Sequence, residues 1–211
     1  MKGLFITFEG TEGCGKSTQS ELLAARLRQL GKKVRSLREP GGTPIGEEIR
    51  HTLKHSDKNH AMTPEAELLL LNASRAQLVR EAIRPALEAG EIVICDRFGD
   101  SSIAYQGYGR GLDLAMVRRV INLAVGDTRP DLTLLLIIAE KAGYDRVSAR
   151  KAASQLQRDR FEEADASFFQ RVAHGFDQLA GAEPKRIKKI DANGTVNEVA
   201  ALIWSQVQPL L

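Results

Sequence analysis

Two hydrophobic rhythms alternate along this chain: short apolar runs of strand length, and longer stretches whose apolar residues return every three or four positions. Gly3–Phe8 (GLFITF) is aromatic and β-branched, as suits a buried strand. Leu22, Leu23, Leu27 and Leu30 then recur at helical spacing, and Gly31 supplies the stop. Lys33–Arg38 predicts a second strand and Ile45–Leu53 a short helix, followed by a polar, turn-rich stretch at His55–Ala61. Thr63 as N-cap and Pro64 at the first helical position open a long helix expected to reach about Ala89. Ile92–Cys95 is a continuous apolar strand ending in Asp96-Arg97. Helical spacing returns at Leu112–Val125, Glu140–Arg150, Glu162–Ala180 and Val196–Val207, with strands at Leu132–Ile138 and Arg186–Ile190. Ala152–Arg160 is polar and fits neither rhythm.

Five short apolar strands separated by helices imply an α/β fold, a parallel sheet covered by helices on both faces. Ligands in such folds sit beyond the carboxyl ends of the strands. The chain shows no repeat, low-complexity tract or linker, so residues 1–211 are expected to form one domain.

The first strand runs into Gly10-Thr11-Glu12-Gly13-Cys14-Gly15-Lys16-Ser17, the pattern G-x-x-x-x-G-K-[ST], with a helix after it. Gly10, Gly13 and Gly15 let the backbone wrap so that successive N–H groups point at phosphate oxygens. Lys16 would set a point charge on the β- and γ-phosphates, and the Ser17 hydroxyl would face Mg²⁺. Thr18 continues the ATP-binding segment Gly10–Thr18 into the helix N-terminus. A glycine-rich turn without ligand is the plain alternative; the strand before it and the helix after it favour a nucleotide. Asp96, at the end of an apolar strand, stands where a metal-organising acid is found in such proteins.

Charge and cysteine content narrow the class. A net charge of +3 with scattered basic residues suits anionic small ligands and offers no tract for nucleic acid. Two cysteines, Cys14 and Cys95, stand in different elements without metal-ligand spacing, which points to a reducing, cytoplasmic setting. The N-terminal apolar run breaks at Glu9, too short for a signal peptide or a membrane span.

Phosphoryl transfer between two anions needs cations at the migrating group, and Thr11–Cys14 offers none. Glu12 adds negative charge there, costly unless it binds something such as a sugar hydroxyl. Arg146, Arg150, Arg158 and Arg160 cluster around the polar segment, either as a solvated face or as a mobile lid that delivers arginine on closure. Residues 150–161 are the candidate lid. Arg75 shares an apolar helix stripe with Leu68, Leu71 and Leu78 and must find a partner: Glu67 or another acid, or a ligand.

Together these residues resemble thymidylate kinase of the bacterial type, across essentially the whole chain. The motifs are Phe8-Glu9-Gly10 with Glu12, Arg38-Glu39-Pro40-Gly41-Gly42-Thr43, Ala73-Ser74-Arg75 and Asp96-Arg97-Phe98. Ala104-Tyr105-Gln106-Gly107, Arg129-Pro130-Asp131-Leu132-Thr133 and Asp159-Arg160-Phe161-Glu162 complete them. The resemblance implies the P-loop nucleoside monophosphate kinase fold, a five-stranded parallel sheet with a small lid. It implies transfer of the γ-phosphoryl group of ATP to dTMP, Mg²⁺ as cofactor and a homodimer. Arg97 would hold the dTMP phosphate with Arg38 nearby, Arg75 would read a thymine carbonyl and Ser102 the thymine edge. Tyr105 would pack under the deoxyribose and Glu12 would bind the sugar 3′-hydroxyl. Glu39, Ser101 and Gln106 are further substrate-binding candidates under this resemblance. Lys16, Arg97 and a lid arginine, Arg150 before Arg158, would be catalytic.

Two positions depart from the family pattern. Leu71 stands where a ring usually stacks on thymine, a difference of about 0.5–1.5 kcal/mol. Ile137 replaces an acid common after that strand, and Lys151–Gln157 is longer than usual. Against this reading stand a kinase for another monophosphate or a deoxynucleoside, and a nucleotide switch without a second pocket.

Overall fold

The computed structural model describes residues 3–153, 160–163 and 165–211. Five parallel strands, β1 (Leu4–Glu9), β2 (Val34–Arg38), β3 (Ile92–Asp96), β4 (Leu132–Ile137) and β5 (Ile187–Asp191), form one sheet in the order β2-β3-β1-β4-β5. The register sets Phe8 opposite Asp96 on β3, and Arg38 on β2 opposite the same residue. The carboxyl ends of three strands thus bring Glu9, Asp96 and Arg38 to one edge.

Alternation along β1 divides the core. Ile6 and Phe8 face α1 (Lys16–Gln29) and α9 (Val196–Val207), where Leu23, Leu27, Val199 and Ile203 are buried. Phe5 faces the other layer, built from α3 (Pro64–Leu78), α6 (Leu114–Val125) and α8 (Ala166–Ala182), with Leu68, Val117 and Phe176 inside. Glu9, two pleats beyond Phe5, turns to this second face and is fully buried. Both faces of the sheet are therefore covered, as continuous apolar strands require.

Local signals place the helix starts. Thr63 Oγ1 accepts from Ala66 N at 3.3 Å with Pro64 behind it, and Thr43 does the same for Gly46 N at 3.1 Å ahead of α2 (Pro44–Lys54). The helix expected to run unbroken from Thr63 to about Ala89 is instead α3, a widened π-type turn at Val79–Ile83 and α4 (Arg84–Glu88). Pro85 is the cause: it has no N–H to donate, and its ring would meet the carbonyl four residues back in a regular helix.

The stretch after Arg97, where no element was expected, holds α5 (Gly99–Ser102) and a π-type turn over Ile103–Gly109. After α7 (Glu140–Ala153) comes a short 3₁₀ turn, Arg160–Glu163, and α8 starts at Ala166 rather than Glu162 because Asp165 caps it, accepting from Phe168 N at 2.8 Å.

Candidate active site

The loop between β1 and α1 is shaped by glycine. Gly10, Gly13 and Gly15 all have positive φ, 136°, 73° and 92°. At Gly13 there is a second constraint, since a Cβ would lie 2.4 Å from the carbonyl oxygen of Gly143 on α7. Two glycines thus let α7 lie directly on the loop. The Lys16 ammonium spans the loop, donating to Thr11 O at 2.7 Å and Gly10 O at 3.1 Å. Ser17 Oγ donates to Asp96 Oδ2 at 2.6 Å, so the two expected metal ligands meet.

Arg97 is the hub of the site. It has φ 69°, a left-handed conformation that costs a non-glycine residue about 1–3 kcal/mol. Its N–H donates to Phe8 O at 2.9 Å, and the ring of Phe98 packs edge-on against Phe5 with centroids 5.0 Å apart. The backbone reversal sends the guanidinium back over the phosphate loop. Nη2 donates to Glu12 Oε1 at 2.9 Å and to Tyr105 Oη at 3.2 Å, while Nη1 donates to Gly10 O and Ser101 Oγ, both at 3.1 Å. Tyr105 Oη in turn donates to Glu12 Oε2 at 2.7 Å. Glu12, the acid that lacked a partner in its own loop, finds two across the cleft. Burial lowers the Arg97 pKa, but Tyr105, Glu12, Glu9 and Asp96 outweigh it and hold the guanidinium well above its ordinary value. Burial and Glu12 push the Tyr105 phenol up, so it remains a donor.

Arg75 on α3 is 2% exposed, and its partner is Glu39, not Glu67. Nε donates to Glu39 Oε2 at 2.8 Å, Nη1 to Asn72 Oδ1 at 2.7 Å and Nη2 to Phe98 O at 3.1 Å. The structural ion pair and the position beside a ligand cleft coexist in one residue. Glu67 belongs to a different cluster: it accepts from Gln106 Nε2 at 2.7 Å and from Arg110 at 3.1 and 3.2 Å, and it pairs with Arg160. Arg160 is therefore anchored to α3, which removes it from the candidate phosphate ligands in this conformation. Arg38 pairs with Glu47 at 2.8 Å on the exposed rim.

The loop after β1, the end of β3 and the Arg75 face of α3 border one cleft of about 1060 Å³ beyond the carboxyl ends of the strands. Glu12–Thr18 form one wall, with Asp96 at its base. Arg38, Glu39, Leu71, Arg75, Arg97, Ser101, Ser102, Tyr105 and Gln106 border the same cleft, so the expected substrate residues do converge. Ser101 points inward, however: its hydroxyl donates to the buried Glu9 at 2.5 Å. Arg146 on α7 lines the cleft, its Nη1 3.5 Å from Gly13 O. Arg150 lies in the last turn of α7, but its side chain falls outside the described residues, as does Arg158.

Sequence reasoning missed three features. Glu9 was only part of a motif, although an acid ending an apolar strand is itself a signal. Phe161, quoted only within a motif, lines the same cleft as Leu71 and brings a ring to it from outside α3. Gly194 and Thr195 border the phosphate-loop end, where Gln19 Nε2 ties α1 to Val196 O at 2.9 Å.

A five-stranded parallel sheet, a glycine-wrapped phosphate loop and a second, arginine-lined half of one cleft define a P-loop nucleoside monophosphate kinase. A family model described as thymidylate kinase matches residues 8–203. The chain is 51% identical over 201 residues to the thymidylate kinase of Syntrophotalea carbinolica, covering 95% of this chain and 93% of that one. It is 49% identical to that of Deinococcus radiodurans over 206 residues, 98% and 97% of the two chains. The crystal structure of thymidylate kinase from Ehrlichia chaffeensis superposes with a TM-score of 0.79 at 34% identity, covering 99% of each chain. This chain belongs to the thymidylate kinase family, ATP-dependent kinases that phosphorylate dTMP to dTDP.

Proposed function

We propose that the two halves of the cleft divide that reaction between them. ATP lies on the phosphate loop, Gly10–Thr18, with Lys16 on its terminal phosphates. The dTMP phosphate lies against Arg97, with Arg38 at the rim, Tyr105 under the sugar and Glu12 near its 3′-hydroxyl. The base lies between Leu71, Phe161 and the Arg75–Ser102–Gln106 wall. The observation that carries this reading is Arg97, which spans from the end of β3 to Glu12 of the phosphate loop and so supports a transfer point between the two halves. Two buried acceptors on the substrate side, Glu39 Oε1 and Gln106 Oε1, have no hydrogen-bond partner among the described residues, as suits a wall that receives a base N–H.

The contact between Ser17 and Asp96 fits Mg²⁺, a hard cation that takes one or two protein oxygens and completes its shell with phosphates and water. Ser17 and Asp96 would hold it, and bound there it would neutralise charge on the transferring phosphoryl group. No covalent intermediate is required, because the acceptor phosphate is already anionic and needs position and cations rather than a base. With ATP as donor, dTMP is expected to be the best acceptor among nucleoside monophosphates. A higher kcat/KM for any other would overturn the assignment.

Residues 150–161 act as the lid of a single 1–211 kinase domain. Arg150 follows Arg146 by one turn of α7, and Arg146 already reaches the loop. Arg150→Ala is expected to lower kcat about 100-fold, the scale of one preorganised charge, while changing dTMP binding little. An unchanged kcat for Arg150→Ala together with a large loss for Arg146→Ala would transfer the role to Arg146. Two free cysteines support a cytoplasmic setting. The exposed Leu69 and Leu123, on α3 and α6, support a homodimer, which a sedimentation mass of one chain would exclude.

A further inference from the structure

We propose that Glu9 is a positioning residue that sets Arg97 through the Ser101 hydroxyl. The inference rests on reading Arg97 as the ligand of the acceptor phosphate.

Glu9 ends β1 with no solvent exposure, and a carboxylate there is costly unless donors surround it. Its partners are Phe98 N at 2.8 Å and Ser101 N at 3.2 Å on Oε1, and Ser101 Oγ at 2.5 Å on Oε2. All three come from the four residues that follow Arg97. A serine hydroxyl has one proton. With that proton given to Glu9, Oγ has only lone pairs left, and it presents one to Arg97 Nη1 at 3.1 Å. The carboxylate orients the hydroxyl, and the hydroxyl orients the guanidinium.

The same contacts hold the left-handed backbone at Arg97. Its own N–H is fastened to Phe8 O, and the next N–H, of Phe98, to Glu9. Behind Glu9 stands Asp100, whose carboxylate is forked by Arg186 at 2.7 and 2.9 Å. Arg186 is held in turn by Glu183, so the cation nearest Asp100 is committed away from Glu9. Burial first, and then the charge of Asp100, push the Glu9 carboxyl up to about 7 against the pull of Ser101, Arg97 and the Phe98 N–H. An acid whose ionisation the fold opposes does not serve stability by its charge. Its geometry serves Arg97.

The test compares Glu9→Gln, Ser101→Ala and the double variant by steady-state kinetics and thermal melting at pH 8. Each single change is expected to raise the KM for dTMP about tenfold, the size of one hydrogen bond to a charged group, and to leave the KM for ATP in place. The double variant should be no worse than the worse single one, because both break one relay. Glu9→Gln should melt no lower than the parent, since it removes a charge that burial disfavours. An unmoved KM for dTMP, multiplicative effects in the double variant, or a joint loss of ATP and dTMP affinity with a lower melting temperature would each overturn the inference. A parent chain inactive on dTMP would sink the functional reading and the inference together. An active parent with unmoved variants would sink the inference alone.

Discussion

Lys16→Ala is expected to reduce phosphoryl transfer by at least about 10³-fold, at the upper end of the loss seen when a preorganised charge is removed. The ammonium is the one fixed positive charge inside the loop, because Thr11–Cys14 carries none and Glu12 is committed to Arg97 and Tyr105. Its loss should fall on kcat rather than on the fold. Among the described residues the Lys16 ammonium donates to Gly10 O, Thr11 O and weakly to Cys14 Sγ, and the glycine dihedrals shape the loop independently. Two carbonyls deprived of a donor cost about 1–3 kcal/mol if water does not replace it. Circular dichroism should therefore match the parent while turnover disappears. Retained turnover would remove Lys16, and with it the phosphate loop, from the mechanism.

Arg75→Ala is expected to cost about 3–5 kcal/mol of stability, the scale for breaking a buried ion pair by deleting one partner. The reason is Glu39. Burial raises its pKa above the ordinary 4.5, and the charge and hydrogen bond of Arg75 are what oppose that rise. Without Arg75 the carboxylate stays buried with neither. The sign of the pH dependence follows from this. A folded-state acid with a raised pKa holds its proton more tightly than the unfolded chain does, so stability falls as pH rises above the unfolded value. Arg75→Ala should thus lose more melting temperature at pH 8 than at pH 5, and Glu39→Gln in the same chain should restore part of it. A melting temperature equal to the parent at both values would leave Arg75 as a ligand group alone. A direct effect on dTMP is read separately, from KM below the melting range.

Much of the scaffold was legible because its causes are local. The apolar strands, Thr63 with Pro64, and the glycines of Gly10–Ser17 each act over a few residues, and the structure puts a strand, a helix start and a positive-φ loop where they predict. The segment Gly99–Gly109 was not legible for the opposite reason. Ile103 to Gly107 are buried on every side, so this helical stretch has no polar face and no 3.6-residue rhythm to betray it. The proline-widened turn at Val79–Ile83 shows a local cue, Pro85, that was present but outweighed by periodicity.

The site divides in the same way. Its inventory came from sequence: the phosphate loop, Arg38, Arg75, Asp96, Arg97 and Tyr105 all reach one cleft. Its wiring did not. Which acid answers Arg75, which cation answers Glu12, and that Arg160 is bound to Glu67 depend on partners 36, 85 and 93 residues apart. Hydrophobic rhythm and turn chemistry act between neighbours, so the sequence alone determined the five strands, most of the helices, the glycine-wrapped loop and the class of chemistry. Only the tertiary structure decided how the charges pair, because β1 and β3 lie side by side in the sheet although most of a hundred residues separate them, and that juxtaposition carries Arg97 over the phosphate loop.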